Sequence, residues 1–232
     1  VAGIVHVRTT GTNQHGAAVL SFVRWVMVRK RDTAAAVQET VVPTLSQRVD
    51  PAGLVVPAGL DFRAYDPARA GSPWFLDDYA AGEVVDHVDG VTIEEAEHQI
   101  ATRLYQNTAR PHFDAVLQRA GRFGRRLVYG GHVISLARAA SFNGLGNAAL
   151  IAAINGGRHV APSFAGDTIY ARSHILEVAP HAERRDIGAL RLRTIAYRKR
   201  ATEADGRDET TAEGDEDTVL DLDYWVWMPR SL

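Results

Sequence analysis

Between Gln106 and Phe113 the chain sets an amide (Asn107), a guanidinium (Arg110) and an imidazole (His112) within six residues. These groups can orient water, pair with a carboxylate and carry a proton, respectively. No carboxylate stands inside the turn. Proton transfer there would fall to His112, since an unperturbed imidazole titrates near ~6.5 and an amide does not titrate at all. Asn107 can either orient water or simply close a turn, for which its backbone preferences suit it. Arg110 can hold a substrate carboxylate through its planar fork, or serve as a surface or phosphate contact.

A second group of candidates precedes an Ala- and Leu-rich segment. Gly130 and Gly131 can bring the first amides of a helix against a developing oxyanion, or form a plain Gly-Gly turn. His132 can line the same end or cap the helix. Arg158 and His159, ahead of Pro162, can meet phosphates or sit as a strand-edge pair. Glu94, Glu95 and Glu97 offer carboxylates, although acidic residues also favour the first helical turn for electrostatic reasons alone. Asp167, in Gly166-Asp167-Thr168, reads as a turn residue. The sequence shows no Gly-rich phosphate loop, no spacing of metal ligands and no serine elbow.

The elements that must position these groups follow from periodicity. Ile4 to Thr9 and Val19 to Val28 are β-branched runs around a polar turn containing Gly16, which predicts a hairpin. Residues 33 to 82 carry Ala, Pro and Gly with little periodicity and read as a long connector, in which the aromatics of Ser72-Pro73-Trp74-Phe75-Leu76 are expected to dock on a neighbouring surface. Glu83 to Val88 predicts a strand. Thr92 to Tyr105 predicts a helix, with Thr92 as cap and Glu95 reaching back to it. Val133 to Asn147 predicts a second helix buried on most sides, because Arg138 is almost its only charge. Ala152 to Asn155, Thr168 to Val178, Ala189 to Arg198 and Val219 to Met228 predict further strands, mostly antiparallel. Many strands and one buried helix give an α+β class. The acidic run from Glu203 to Asp217 reads as a solvated loop.

Composition narrows the function classes. At 232 residues and 46% hydrophobic content the chain can bury one substantial core or two small ones. Lys plus Arg number 26 against 28 Asp plus Glu, so overall charge makes no case for nucleic acid or an anionic membrane. Cysteine is absent, which removes thiol chemistry and disulfides, and no apolar run approaches the ~20 residues that span a bilayer. The expectation is a cytoplasmic protein.

Thr92 to Phe113, followed by Pro162-Ser163-Phe164-Ala165-Gly166-Asp167-Thr168, resembles the MaoC-type hot-dog family of R-specific enoyl-CoA hydratases and dehydratases. That family carries an Asp-x-Asn-Pro-x-His loop; here His112 keeps the spacing and Asn107 stands at the Asp position. Asp89 to Gln99, Tyr129 to Arg138 and Asp221 to Val226 resemble the branch of the family that acts on mesaconyl-CoA.

The resemblance implies an antiparallel sheet wrapped around a long central helix. The style of Arg24-Trp25-Val26-Met27 returns in Tyr224-Trp225-Val226-Trp227-Met228. The expected organisation is therefore the terminal hairpin of a first repeat (1–32), a connector (33–81) and a complete repeat (82–232). It further implies reversible hydration of a branched, carboxylate-bearing enoyl-CoA, with CoA entering as part of the substrate, no separate cofactor, and a homodimer. Asn107 and His112 would act on water, while Arg110, Gly130, Gly131, His132 and Arg158 would bind substrate. A hot-dog thioesterase and a non-catalytic acyl-CoA binding unit are the competing readings.

Overall fold

The computed structural model describes residues 2–36, 39–199 and 216–231. The acidic run read as a loop lies almost wholly outside them. The chain forms two compact units, one running to Ser46 and the other from Gln47.

The first unit is an antiparallel hairpin of β1 (Ala2–Thr12) and β2 (Ala18–Arg29), in continuous register from Ala2 opposite Arg29 to Gly11 opposite Leu20. Asn13 builds its turn by accepting backbone N–H bonds from His15 and Ala17, and Gly16 takes the positive φ the turn requires. The two strands bond only to each other among the described residues. Ile4, Leu20, Trp25 and Met27 are exposed, so the alternation that marks the strands does not bury a face.

The second unit is built on a six-stranded antiparallel sheet of β3 (Val84–Asp86), β4 (Val91–Thr92), β5 (Leu150–His159), β6 (Thr168–Pro180), β7 (Ile187–Lys199) and β8 (Glu216–Pro229). The order is β3-β6-β7-β8-β5, with β4 also on β6. The inner face carries Ile169, Ala171 and Ile175 of β6, Leu190, Leu192 and Ala196 of β7, and Leu220, Leu222, Val226 and Met228 of β8. These positions recur at period two because successive side chains leave a strand on opposite faces. Helix α4 (Gly130–Ala140) lays Val133, Leu136 and Ala137 against them.

Three expectations are corrected in detail. Helix α2 is Glu95–Leu104, with Glu94 as its N-cap residue and the Glu97 carboxylate accepting the Glu94 N–H at 3.3 Å. Thr92 is not the cap because Val91 and Thr92 are drawn into the sheet opposite Ile169 and Thr168. Helix α4 ends at Ala140 rather than near Asn147. Asn143 and Gly144 leave helical geometry, Gly144 at φ +91°, and Asn143 turns to bond the His87 carbonyl and the Asp89 carboxylate. Helix α4 also buries one side rather than most of its surface, with Ser135 and Ala139 exposed.

The stretch after Gln47 packs across the outer face of the sheet. It includes a short helix α1 (Pro67–Ala70), capped by Asp66. Leu54 and Phe62 form a second core with Ile187, Ala189, Trp225 and Trp227, and the two indole N–H groups donate to the Val49 and Val55 carbonyls. Asn147 anchors the stretch further by donating to the Ser72 and Trp74 carbonyls and accepting from the Tyr65 hydroxyl. Docking near Ser72 is achieved by Leu76, which is fully buried, while Trp74 stays half exposed.

Candidate functional site

Helix α2 runs into Tyr105 and Gln106, and Gln106 takes a positive φ of 51° that turns the chain back. The Asn107 N–H returns to the Thr102 carbonyl at 3.0 Å. Its side-chain oxygen accepts the Ala109 N–H at 2.8 Å, which closes an Asx turn. One lone pair of Asn107 Oδ1 is thereby committed to the backbone, and its amide NH2 meets no hydrogen-bond partner among the described residues. Arg110 opens a single 3-10 turn, Arg110–His112, and projects into solvent without an ion-pair partner among the described residues.

His112 is half-buried and fixed on both sides. Its Nδ1 lies 3.1 Å from the Leu127 carbonyl, so Nδ1 carries the proton and Nε2 is left as the basic nitrogen. Its own carbonyl accepts from Gln99 Nε2 at 2.6 Å. Burial holds the imidazole below its ordinary pKa, the Leu127 carbonyl opposes that shift, and nearby His98 adds to it. His112 is therefore neutral at pH 7, the form a general base needs.

The segment after His112 forms helix α3 (Ala115–Arg119), whose cap is the Asp114 carboxylate accepting the Leu117 N–H, and then loops back. Leu127 N–H bonds the Pro111 carbonyl at 2.9 Å, and Arg126 ties to both the Phe113 carbonyl and the Glu95 carboxylate. Glu95 also accepts from His98, which is fully buried. Glu95 is thus a brace between helix α2 and the returning loop.

Tyr129 is the N-cap residue of helix α4, and its ring meets His112 edge-on at 5.7 Å and Tyr105 at 6.2 Å. Beyond it, Gly130 and Gly131 present N–H groups that no helical carbonyl can reach, at the electropositive end of the helix. A Cβ on Gly130 would run into His159 Nε2 closer than any van der Waals contact allows, and one on Gly131 would strike the Tyr129 ring. The glycines are required by close packing. His159, at the end of β5, is held below the ordinary imidazole pKa by desolvation first and by His112 second. His112, Tyr129, Gly130 and His159 thus gather at one end of helix α4.

The remaining sequence candidates are placed otherwise. His132 is buried against Glu97, its Nε2 3.3 Å from Oε1 but out of line for a hydrogen bond; burial lowers its pKa, Glu97 opposes and His98 reinforces the shift. Arg158 lies on the sheet beside Asp221, which also binds Arg193. Asp167 accepts the Phe164 N–H and pairs with Arg198. Among the described residues no group of three His, Asp or Glu is placed to hold a metal ion. Sequence reasoning passed over Tyr129, Gln99 and the Glu95–Arg126 brace. The only signal for His159 at the helix end was its position next to Arg158.

The chain is 57% identical over 228 residues to a β-methylmalyl-CoA dehydratase of Chloroflexus aurantiacus. It is 54% identical over 229 residues to a mesaconyl-CoA hydratase of Cereibacter sphaeroides. It covers 65% of the length of each of these relatives. No family model matches. Among solved structures, a MaoC-domain dehydratase from Chloroflexus aurantiacus superposes on the whole chain with a TM-score of 0.88 at 57% identity, the chain covering 66% of it.

The chain has the MaoC-like hot-dog fold. A Mycobacterium tuberculosis protein described as a double hotdog superposes over 98% of the chain, which spans 63% of that protein, with a TM-score of 0.64 at 27% identity. Helix α4 is the central helix of the hot-dog, and the sheet β3-β6-β7-β8-β5 is its wrap. No helix among the described residues is long and apolar enough to cross a membrane.

Proposed function

We propose that this chain takes part in the reversible addition of water to a branched, carboxylate-bearing enoyl-CoA, mesaconyl-CoA giving β-methylmalyl-CoA. The observation that carries the reading is the pairing of a neutral His112, Nδ1 tied to Leu127, with the glycine-opened amino end of helix α4. The names of the relatives at 57% and 54% identity support the acyl group.

In the hydration direction His112 Nε2 takes a proton from water as the water oxygen bonds to the β-carbon. The double-bond electrons move toward the thioester oxygen, which the Gly130 and Gly131 amides stabilise. The α-carbon then takes the proton back from the imidazolium. Asn107 steers water through its NH2, and Arg110, free of ion pairs, grips the substrate's second carboxylate. His132 supports the helix end from the buried side, while Arg158 is occupied by Asp221. CoA arrives as part of the substrate, no other cofactor enters the scheme, and two chains assemble as a homodimer.

The test is to incubate the chain with mesaconyl-CoA and with crotonyl-CoA and follow the products by mass. Gain of one water, faster with mesaconyl-CoA, is the expected result. Release of free CoA would replace hydration with thioester hydrolysis, and binding without change of mass would leave an acyl-CoA binding unit. Equal rates on both substrates would remove the role given to Arg110.

A further inference from the structure

Between Ala115 and Val128 the chain carries four arginines, Arg119, Arg122, Arg125 and Arg126, and no acidic residue. The whole chain has a formal charge of -2, so this is a local concentration of positive charge. Arg126 is consumed by Glu95. Arg119, Arg122 and Arg125 are exposed and have no carboxylate partner among the described residues. Asp114, just ahead of the loop, caps helix α3, and Asp167, which accepts the Phe164 N–H, pairs with Arg198.

Two of these guanidiniums are set in place. Arg125 lies over the face of Phe164, 3.8 Å from the ring centre, and Phe164 is itself buried. Arg122 lies over Phe123 at 5.1 Å, and Phe123 meets Phe164 edge-on at 5.5 Å. A guanidinium stacked on a ring keeps its in-plane N–H donors free, which suits it to phosphate oxygens. Phe123 remains 39% exposed, enough to offer an edge to a flat base. The C-terminal end of this loop is fastened beside His112, through the Leu127 N–H to the Pro111 carbonyl and Arg126 to the Phe113 carbonyl.

We infer that the Arg122–Phe123–Arg125 loop, with Arg119 beside it, binds the phosphorylated adenosine end of a CoA thioester whose acyl group lies at His112. This rests on the proposed function and assigns its substrate a second anchor. It also differs from the sequence expectation for Arg158, which stands beside Asp221.

The experiment compares mesaconyl-CoA with mesaconyl-pantetheine, which keeps the thioester and lacks every phosphate, on the unaltered chain and on Arg122→Ala/Arg125→Ala. The double variant is expected to raise KM for the CoA ester about tenfold or more, the loss of charge-assisted hydrogen bonds, and leave the pantetheine ester unchanged. Arg122→Lys/Arg125→Lys should restore part of the difference. Equal effects on both esters, or none, would overturn the loop assignment while leaving the hydration reading intact. Should neither ester turn over, the hydration reading fails, and calorimetric titration with coenzyme A decides the loop independently. Weaker binding by the double variant supports it, whereas equal affinity, or no binding to either chain, overturns it.

Discussion

The Nδ1–H of His112 points at the backbone carbonyl of Leu127, 3.1 Å away, across a loop that leaves and returns within fifteen residues. The bond fixes the tautomer and leaves Nε2 as the basic nitrogen. Desolvation depresses the pKa, so the neutral form persists as pH falls through the ordinary value of ~6.5. The expected kcat/KM for hydration is flat from pH 8 to about 6.5, with its acid limb below that value. His112→Ala should lower kcat by about 10²–10⁴ without changing the fold. An acid limb that survives in His112→Gln would remove the imidazole from the reaction.

Asn107 offers a sharper distinction. Its Oδ1 holds the Ala109 N–H, a task a carboxylate performs equally well. Asn107→Asp is therefore expected to keep the melting temperature but to lose most of the activity, since a carboxylate has no NH2 to steer water, and Asn107→Ala to lose about 0.5–1.5 kcal/mol of stability. Denaturant titration of the three chains checks this. Activity retained in Asn107→Asp with unchanged stability would remove the water-steering role given to the amide NH2.

Gly130 of helix α4 lies against the His159 ring of β5 with no room for a side chain. Gly130→Ala would push His159 aside and shift the amides proposed to stabilise the thioester oxygen, so turnover should fall by about 10²-fold or more. His159→Ala in the same chain vacates the space, and the double variant should recover part of the loss. Additive losses in the double-mutant cycle would mean that the two positions do not communicate.

Acid should destabilise the second unit early. His87, His98 and His132 are buried, and burial lowers the pKa of each. His87 donates from Nδ1 to the Asn143 carbonyl and meets Ser173 at Nε2, from which contacts continue through Thr194 to Tyr224. Below ~6.5 the unfolded chain takes up protons that the folded chain refuses, so stability is full above that pH and falls below it until the folded pKa values are reached. Asp186, held at about 2 mainly by Arg184, adds a loss at lower pH still. Denaturant midpoints at pH 8, 7, 6 and 5 should be level over the first two and fall over the last two. A level series to pH 5 would contradict neutral burial of these imidazoles.

Much of the architecture was legible because β6, β7 and β8 alternate cleanly and the hairpin has a Gly-containing polar turn. The boundaries that escaped depend on partners far along the chain. Thr92 looks like a helix cap until β6 claims it, and the segment after Ala140 looks helical until Asn143 is drawn to His87 and Asp89. In the candidate site, spacing singles out His112, and spacing is local. The approach of His159 to Gly130 and the Glu95–Arg126 brace join residues about thirty apart in sequence, and neither leaves a periodic trace.

Trp225 and Trp227 face away from helix α4, under the stretch that begins at Gln47. An excision at Gly82, where strand periodicity resumes, would strip the lid from both indoles and orphan their N–H groups. The smallest fragment worth expressing therefore starts near Gln47, and shorter versions are candidates for aggregation rather than for assay.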